Sequence, residues 1–205
     1  PEMLQKALSA DVKDSFNMIS VDGDTSTNDM AIVLANGCAG NAVVDAEGPD
    51  YDVFCAALAR VTQYLCRCIA LDGEGATHLL ECSVTGAADR GMARTAAKAV
   101  ICSSLVKAAF FGADANWGRI LCALGYCGAA LDVTKIGVSL CSAAGTILVC
   151  ENGAGVPFSE EEAKKILTER EIRIDVTLGL GDASAKAWGC DLSYDYVKIN
   201  GDYRT

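Results

Sequence analysis

The sequence predicts an α+β fold, a sheet covered by helices rather than a repeating strand-helix-strand array. Two observations carry this reading. Apolar residues along the chain switch between spacings of three and four and a spacing of two. Two pairs of strand-like segments, near 133–150 and 172–193, are joined closely enough to pair antiparallel. No internal repeat, low-complexity tract or linker interrupts the chain, so residues 1–205 are read as a single unit.

Taken in order, Pro1 suits a first helical position, and Leu4, Leu8 and Val12 follow at spacing four, which predicts an opening amphipathic helix. Phe16–Val21 reads as a strand. Asp22–Asp29 is a polar turn rich in capping residues, and Met30–Asn36 reads as a short apolar helix stopped by Gly37. Phe54, Leu58, Val61, Leu65 and Ile69 recur at three and four, which makes residues from about 50 to 71 the clearest amphipathic helix of the chain. Asp72-Gly73-Glu74-Gly75 ends it.

Thr77–Thr85 then reads as a strand, Asp89–Cys102 as an alanine-rich helix, Leu105–Phe111 as a strand and Asn116–Leu124 as a short helix. Strands are expected at Val133–Leu140 and Thr146–Cys150. Ser159 with Glu162 forms a capping box that opens another helix. Ile172, Ile174, Val176 and Leu178 alternate with polar residues, the period of a strand covered on one face. Ala185–Ser193 reads as a strand and Tyr194–Asn200 as a terminal helix.

Composition removes several functions. A hydrophobic fraction of 51% with 21% charged residues is ordinary for a globular chain that buries one core. The longest uninterrupted apolar runs, such as Ala31–Ala35 and Ala108–Phe111, fall well short of the roughly 18 residues of a membrane span, so no transmembrane helix and no membrane partner are expected. Pro1–Asp14 lacks the basic start and apolar middle of a signal peptide. A net charge of −10 argues against nucleic acid, which is bound through clustered Lys and Arg, and weakly favours a cationic small substrate. The eleven cysteines are odd in number and lack C-x-x-C spacing; most are read as reduced, buried, small apolar side chains.

The standard catalytic sets fare poorly. His78 is the one histidine, which leaves neither a zinc site nor a convincing histidine-based triad; it reads as a partly exposed strand residue. Gly73-Glu74-Gly75 and Gly179-Leu180-Gly181 lack the pattern of a phosphate loop, so no nucleotide cofactor and no metal are expected. Thr25, Ser26 and Thr27 are read as caps of the following helix. Glu74 stands out because glycines on both sides let the backbone turn tightly and bring a carboxylate to a ligand; its bland alternative is a solvated loop acid.

Several motifs in fixed order carry a more specific signal. The run from Phe16-Asn17 to Asn36-Gly37 with VDGDTSTND at 21–29, DGEGAT at 72–77, SSLVKAAFFGADANWGRI at 103–120 and WGCDLSYDYVKINGDYRT at 188–205 together resemble the ornithine acetyltransferase family, also called bifunctional glutamate N-acetyltransferase. The resemblance spans the chain and corresponds to the β chain of a precursor that cuts itself before a threonine. It implies an αββα four-layer sandwich of the N-terminal-nucleophile type, completed by an α chain, usually as α2β2. It also implies that the nucleophilic Thr lies upstream of Pro1.

The implied activity is transfer of an acetyl group from N-acetylornithine to glutamate through an acetyl-threonine, with acetyl-CoA a further substrate in some members and no cofactor. Glu74, Asn200 and Thr205 fall on the family's substrate-contacting positions, and His78 stands where a Lys is expected. The oxyanion-stabilising donors belong to the α chain. Cytoplasm is the default location, with an organelle as the alternative if a targeting segment lies upstream. A self-processing aminopeptidase of the same fold and a non-catalytic subunit are the competing readings.

Overall fold

The computed structural model describes residues 1–203, so Thr205, one of the implied contact residues, lies outside the described residues. Helix α1 (Glu2–Asp11) is followed by a 3-10 turn at Phe16–Met18 and a two-residue strand β1 (Ile19–Ser20), a shorter strand than expected. Helix α2 (Pro49–Leu71) leads through the Asp72–His78 loop into β2 (Leu79–Ala87). Three helices come next, α3 (Arg90–Cys102), α4 (Ser104–Phe111) and α5 (Trp117–Gly125). A hairpin of β3 (Gly137–Ser142) and β4 (Gly145–Glu151) precedes the short β5 (Ala154–Gly155). Helix α6 (Glu160–Leu167), strands β6 (Glu171–Thr177) and β7 (Ala183–Cys190), and helix α7 (Tyr194–Asp202) complete the chain.

The strands form one seven-stranded sheet in the order β1-β7-β2-β6-β3-β4-β5. The first expected hairpin is present, with β3 and β4 antiparallel. The second is not: β2 lies between β6 and β7, parallel to the first and antiparallel to the second. Leu80, Cys82 and Val84 stand in register with Ile172, Ile174 and Val176 and are all buried, forming one sheet face. Helix α3 lies on it so closely that a Cβ on Gly189 would come within 2.5 Å of Ile101 Cγ2. The opposite face is polar, with Glu81, Arg173, Asp175 and Lys186, and α2 crosses part of it. The α+β expectation is met by one sheet flanked by helices, and the second sheet of the four-layer arrangement is not among the described residues.

Other expectations need correction. Leu105–Phe111 is helix, not strand: the Ser103 hydroxyl accepts from Val106 N and caps α4, and Val106, Ala109 and Phe110 bury one side. A short apolar run fits a buried strand or a buried helix equally well, and the cap decides. Met30–Asn36 is not helical and lies exposed. With no helix after them, Thr25, Ser26 and Thr27 cap nothing; Ser26 Oγ accepts from Asn28 N within its own turn. Val133–Lys135 is a 3-10 turn, so β3 starts later than expected.

Helix α2 departs from expectation in two ways. It buries Tyr51, Thr62, Cys66 and Ala70, whereas Phe54, Val61, Leu65 and Ile69 of the apolar stripe remain exposed. By length and composition it is also long and apolar enough to cross a membrane, and no uninterrupted run reveals this because its apolar residues are interspersed with Arg60, Gln63 and Arg67. Of the cysteines, none is paired; Cys66, Cys82, Cys141, Cys150 and Cys190 are buried, and Cys38, Cys68, Cys102 and Cys122 are exposed rather than buried as expected. Burial pushes the Cys66 thiol up to about 12, so it is protonated at neutral pH.

Candidate functional site

Glu74 sits in the loop that joins α2 to β2, at the end of the sheet where β2 begins and β7 ends. Glycine is required at Gly75 and leaves a tight fit at Gly73. A Cβ on Gly73 would stand 3.0 Å from Cys190 Sγ, and Gly75 has φ +67 with a would-be Cβ 2.5 Å from Tyr196 N. The loop therefore presses against the segment after β7 with no room for side chains at its shoulders. Glu74 is left projecting into solvent.

The chain after β7 grips this loop at successive points. Asp191, buried, accepts from the backbone N–H of Thr77 and of His78, each at 2.8 Å. Its other oxygen accepts the Thr77 hydroxyl at 2.5 Å and lies 3.1 Å from His78 Nδ1. Burial pushes the Asp191 carboxyl up, but the His78 and Thr77 donors outweigh it and hold the group below the usual carboxylate range. Ser193 donates to Gly75 O at 2.6 Å and accepts from Tyr196 N, so one hydroxyl both fixes the loop and caps α7.

Helix α7 then carries Asn200 back over the loop. Asn200 Nδ2 donates to Glu74 Oε2 at 2.6 Å and to Tyr196 O at 3.1 Å. Tyr196, on the same helix, donates to Asp22 Oδ2 at 3.1 Å. Burial and then this bond to Asp22 raise the Tyr196 hydroxyl above its ordinary range, with Asp24 and Glu74 adding negative charge nearby. Beneath the loop the Lys107 ammonium, buried, rests 3.7 Å from Cys190 Sγ.

Two of the three expected contact residues, Glu74 and Asn200, thus meet although they are 126 positions apart. His78 precedes β2 rather than lying in it, and its ring is tied to Asp191 and Thr77. Sequence reasoning missed Asp191, Tyr196 and Asp22. The one signal available for the first two was Ser193 ahead of an aromatic-rich run, a helix start that would fold back on whatever precedes it.

A family model described as the ArgJ family matches residues 1–205. The chain is 54% identical over 204 residues to arginine biosynthesis bifunctional protein ArgJ 1 of Clostridium acetobutylicum, covering 100% of this chain and 50% of that protein. It is 54% identical over 202 residues to the ArgJ protein of Caldanaerobacter subterraneus subsp. tengcongensis, covering 98% and 50%. The crystal structure of the ArgJ protein from Bacillus halodurans superposes with a TM-score of 0.93 at 47% identity, covering 98% of this chain and 93% of that one. The chain spans about half the length of the curated relatives it matches.

Proposed function

Because the chain belongs to the ArgJ family, we propose that it is the β chain of an ornithine acetyltransferase, moving an acetyl group from N-acetylornithine to glutamate through an acetyl-threonine. The observation that carries the proposal is the convergence of Glu74 and Asn200, 2.6 Å apart, at the end of the sheet. An exposed carboxylate beside an amide suits a substrate with both an ammonium and carboxyl or amide groups: the carboxylate pairs with the ammonium, and the amide donates and accepts. Thr205 is the third proposed contact. The relatives' names, which refer to arginine biosynthesis, weigh against the aminopeptidase reading.

The nucleophile in this proposal is a threonine upstream of Pro1, freed as a chain terminus by self-cleavage. Its own neutral amine takes the hydroxyl proton, and the oxygen attacks the acetyl carbonyl. The tetrahedral oxyanion is stabilised by donors on the α chain. Collapse breaks the C–N bond, the departing ornithine amine takes up the proton, and an ester remains. The glutamate amine then attacks that ester carbonyl, and the threonine hydroxyl is regenerated. No imidazole is needed, in keeping with His78 being the one histidine and committed to Asp191.

Partner and place belong to the same proposal: an α chain from the same precursor, an α2β2 assembly and a cytoplasmic enzyme, with acetyl-CoA as a further donor and no cofactor. The test is intact-mass analysis of the two-chain protein after brief exposure to N-acetylornithine without glutamate. One acetyl group on the β chain, mapped to its terminal threonine and discharged by glutamate, is expected. An intact threonine terminus that gains nothing would refute the activity. Glu74→Gln, which keeps the shape and removes the charge, is expected to raise the KM for N-acetylornithine by about tenfold.

A further inference from the structure

We propose that Asp191 is the positioning residue that fixes the Glu74 loop for substrate, an inference that rests on the acetyltransferase reading for its kinetic consequence but not for its geometry. Asp191 is 2% exposed, and both of its oxygens are directed at the loop. Oδ1 takes two backbone N–H groups, of Thr77 and His78, at 2.8 Å. Oδ2 takes the Thr77 hydroxyl at 2.5 Å and faces His78 Nδ1 at 3.1 Å.

The single Thr77 hydroxyl proton goes to the carboxylate, which has no proton to give in return. Nδ1 of His78 therefore carries a hydrogen, shared between the Thr77 oxygen at 2.8 Å and the same carboxylate oxygen at 3.1 Å. Four donors on one carboxylate leave it no free direction, and all four come from the two residues that follow Gly75-Ala76. Asp191 thereby sets the end of the loop, Ser193 sets its middle through Gly75 O, and the backbone so fixed carries Glu74 to where it meets Asn200 at 2.6 Å. This gives the histidine at position 78 a role: its ring is one of the donors that tie the loop down.

A carboxylate held this way touches no substrate, yet its charge and its acceptor-only character are both needed. Asp191→Asn preserves the volume and can still accept the two backbone N–H groups through Oδ1. Its NH2, however, meets the Thr77 hydroxyl and the His78 Nδ1–H, both of which had donated. Either the loop shifts, or the Thr77 hydroxyl turns and the ring changes tautomer; in both cases a neutral amide replaces charge-assisted bonds and holds the loop more weakly.

The experiment uses the full two-chain enzyme, comparing wild type and Asp191→Asn by amide hydrogen exchange and steady-state kinetics. Exchange at residues 73–78 is expected to accelerate by about tenfold or more, with the core strands β2 and β6 unchanged. The KM for N-acetylornithine is expected to rise by roughly tenfold and kcat to change far less, since the reacting atoms are untouched. Thr77→Val and Thr77→Ser supply a second pair in case Asp191→Asn does not fold: fast loop exchange is expected for the first and slow exchange for the second, which retains the hydroxyl. Unchanged exchange at 73–78, or equal acceleration throughout the chain, would overturn the proposal. If the wild type transfers no acetyl group, the functional reading fails while the exchange data still judge the role of Asp191.

Discussion

Glu74 and Glu81 lie seven positions apart and show how burial separates an exposed carboxylate from a structural one. Glu81 is buried on the polar sheet face and accepts from Arg67 at 2.7 Å, Lys186 at 2.8 Å and Trp188 Nε1 at 3.0 Å. Burial pushes its carboxyl up, but Lys186, Trp188 and Arg67 outweigh burial and hold it below its usual 4.5. The unfolded chain therefore binds this proton more readily than the native one. The stabilisation is complete above about pH 4.5 and is lost as the pH falls through the lower native value. Glu81→Gln is expected to lower stability by about 2 kcal/mol at pH 7, with the gap to wild type narrowing below pH 4. Thermal unfolding of both proteins across pH 3–8 checks this, and a gap independent of pH would refute it.

Residues of this kind differ in how far the sequence reveals them. Glu74 could be singled out because its flanking glycines are local. Asp191 and Asp22 could not, because their partners lie 113 or more positions away and an isolated aspartate carries no periodic signal.

At the level of elements, periodic segments were legible and apolar runs without a period were not. Strand β6 is legible from its alternation, α3 from its alanine-rich run and α6 from its polar start, with Asp89 and Ser159 accepting the capping N–H groups. Helix α4 was misread because Leu105–Phe111 is apolar almost throughout, so no face could be assigned. Strand pairing failed for β6 and β7 because chain proximity does not reveal a third strand inserted between them. The Asp72–His78 loop is the element on which the site depends most. Gly75→Ala would force a side chain into the left-handed region and against Tyr196 N, and is expected to cost on the order of 2 kcal/mol. Because the clash is with the first turn of α7, proteolysis within α7 should accelerate before the sheet unfolds; cleavage that tracks global unfolding alone would refute this.

For the whole molecule, the informative feature is that the strongest apolar stripe in the sequence does not serve this chain's own core. Val61 is 57% exposed, Leu65 42% and Ile69 46%, while the same helix buries Thr62 and Cys66. Met30, Ile32 and Leu34 lie exposed in the extended segment before α2. Exposed apolar residues gathered along one helix suit a surface that a partner covers. The relatives are about twice as long as this chain, so the other half of such a protein, the proposed α chain, is the natural cover.

If so, a charge on this stripe should disrupt assembly without disturbing the fold it projects from. Val61→Asp combined with Leu65→Asp changes two exposed positions, and each is expected to alter the chain's own stability by no more than about 0.5 kcal/mol. Co-expressed with the α half, the wild-type chain should co-purify as a two-chain complex, and the double variant should lose most of its partner while keeping its circular dichroism. Flotation of the wild-type chain with lipid vesicles examines the other use of a long apolar helix. Retention of the partner by the double variant, or vesicle binding that the α half does not suppress, would show that this face of α2 serves something other than the proposed α chain.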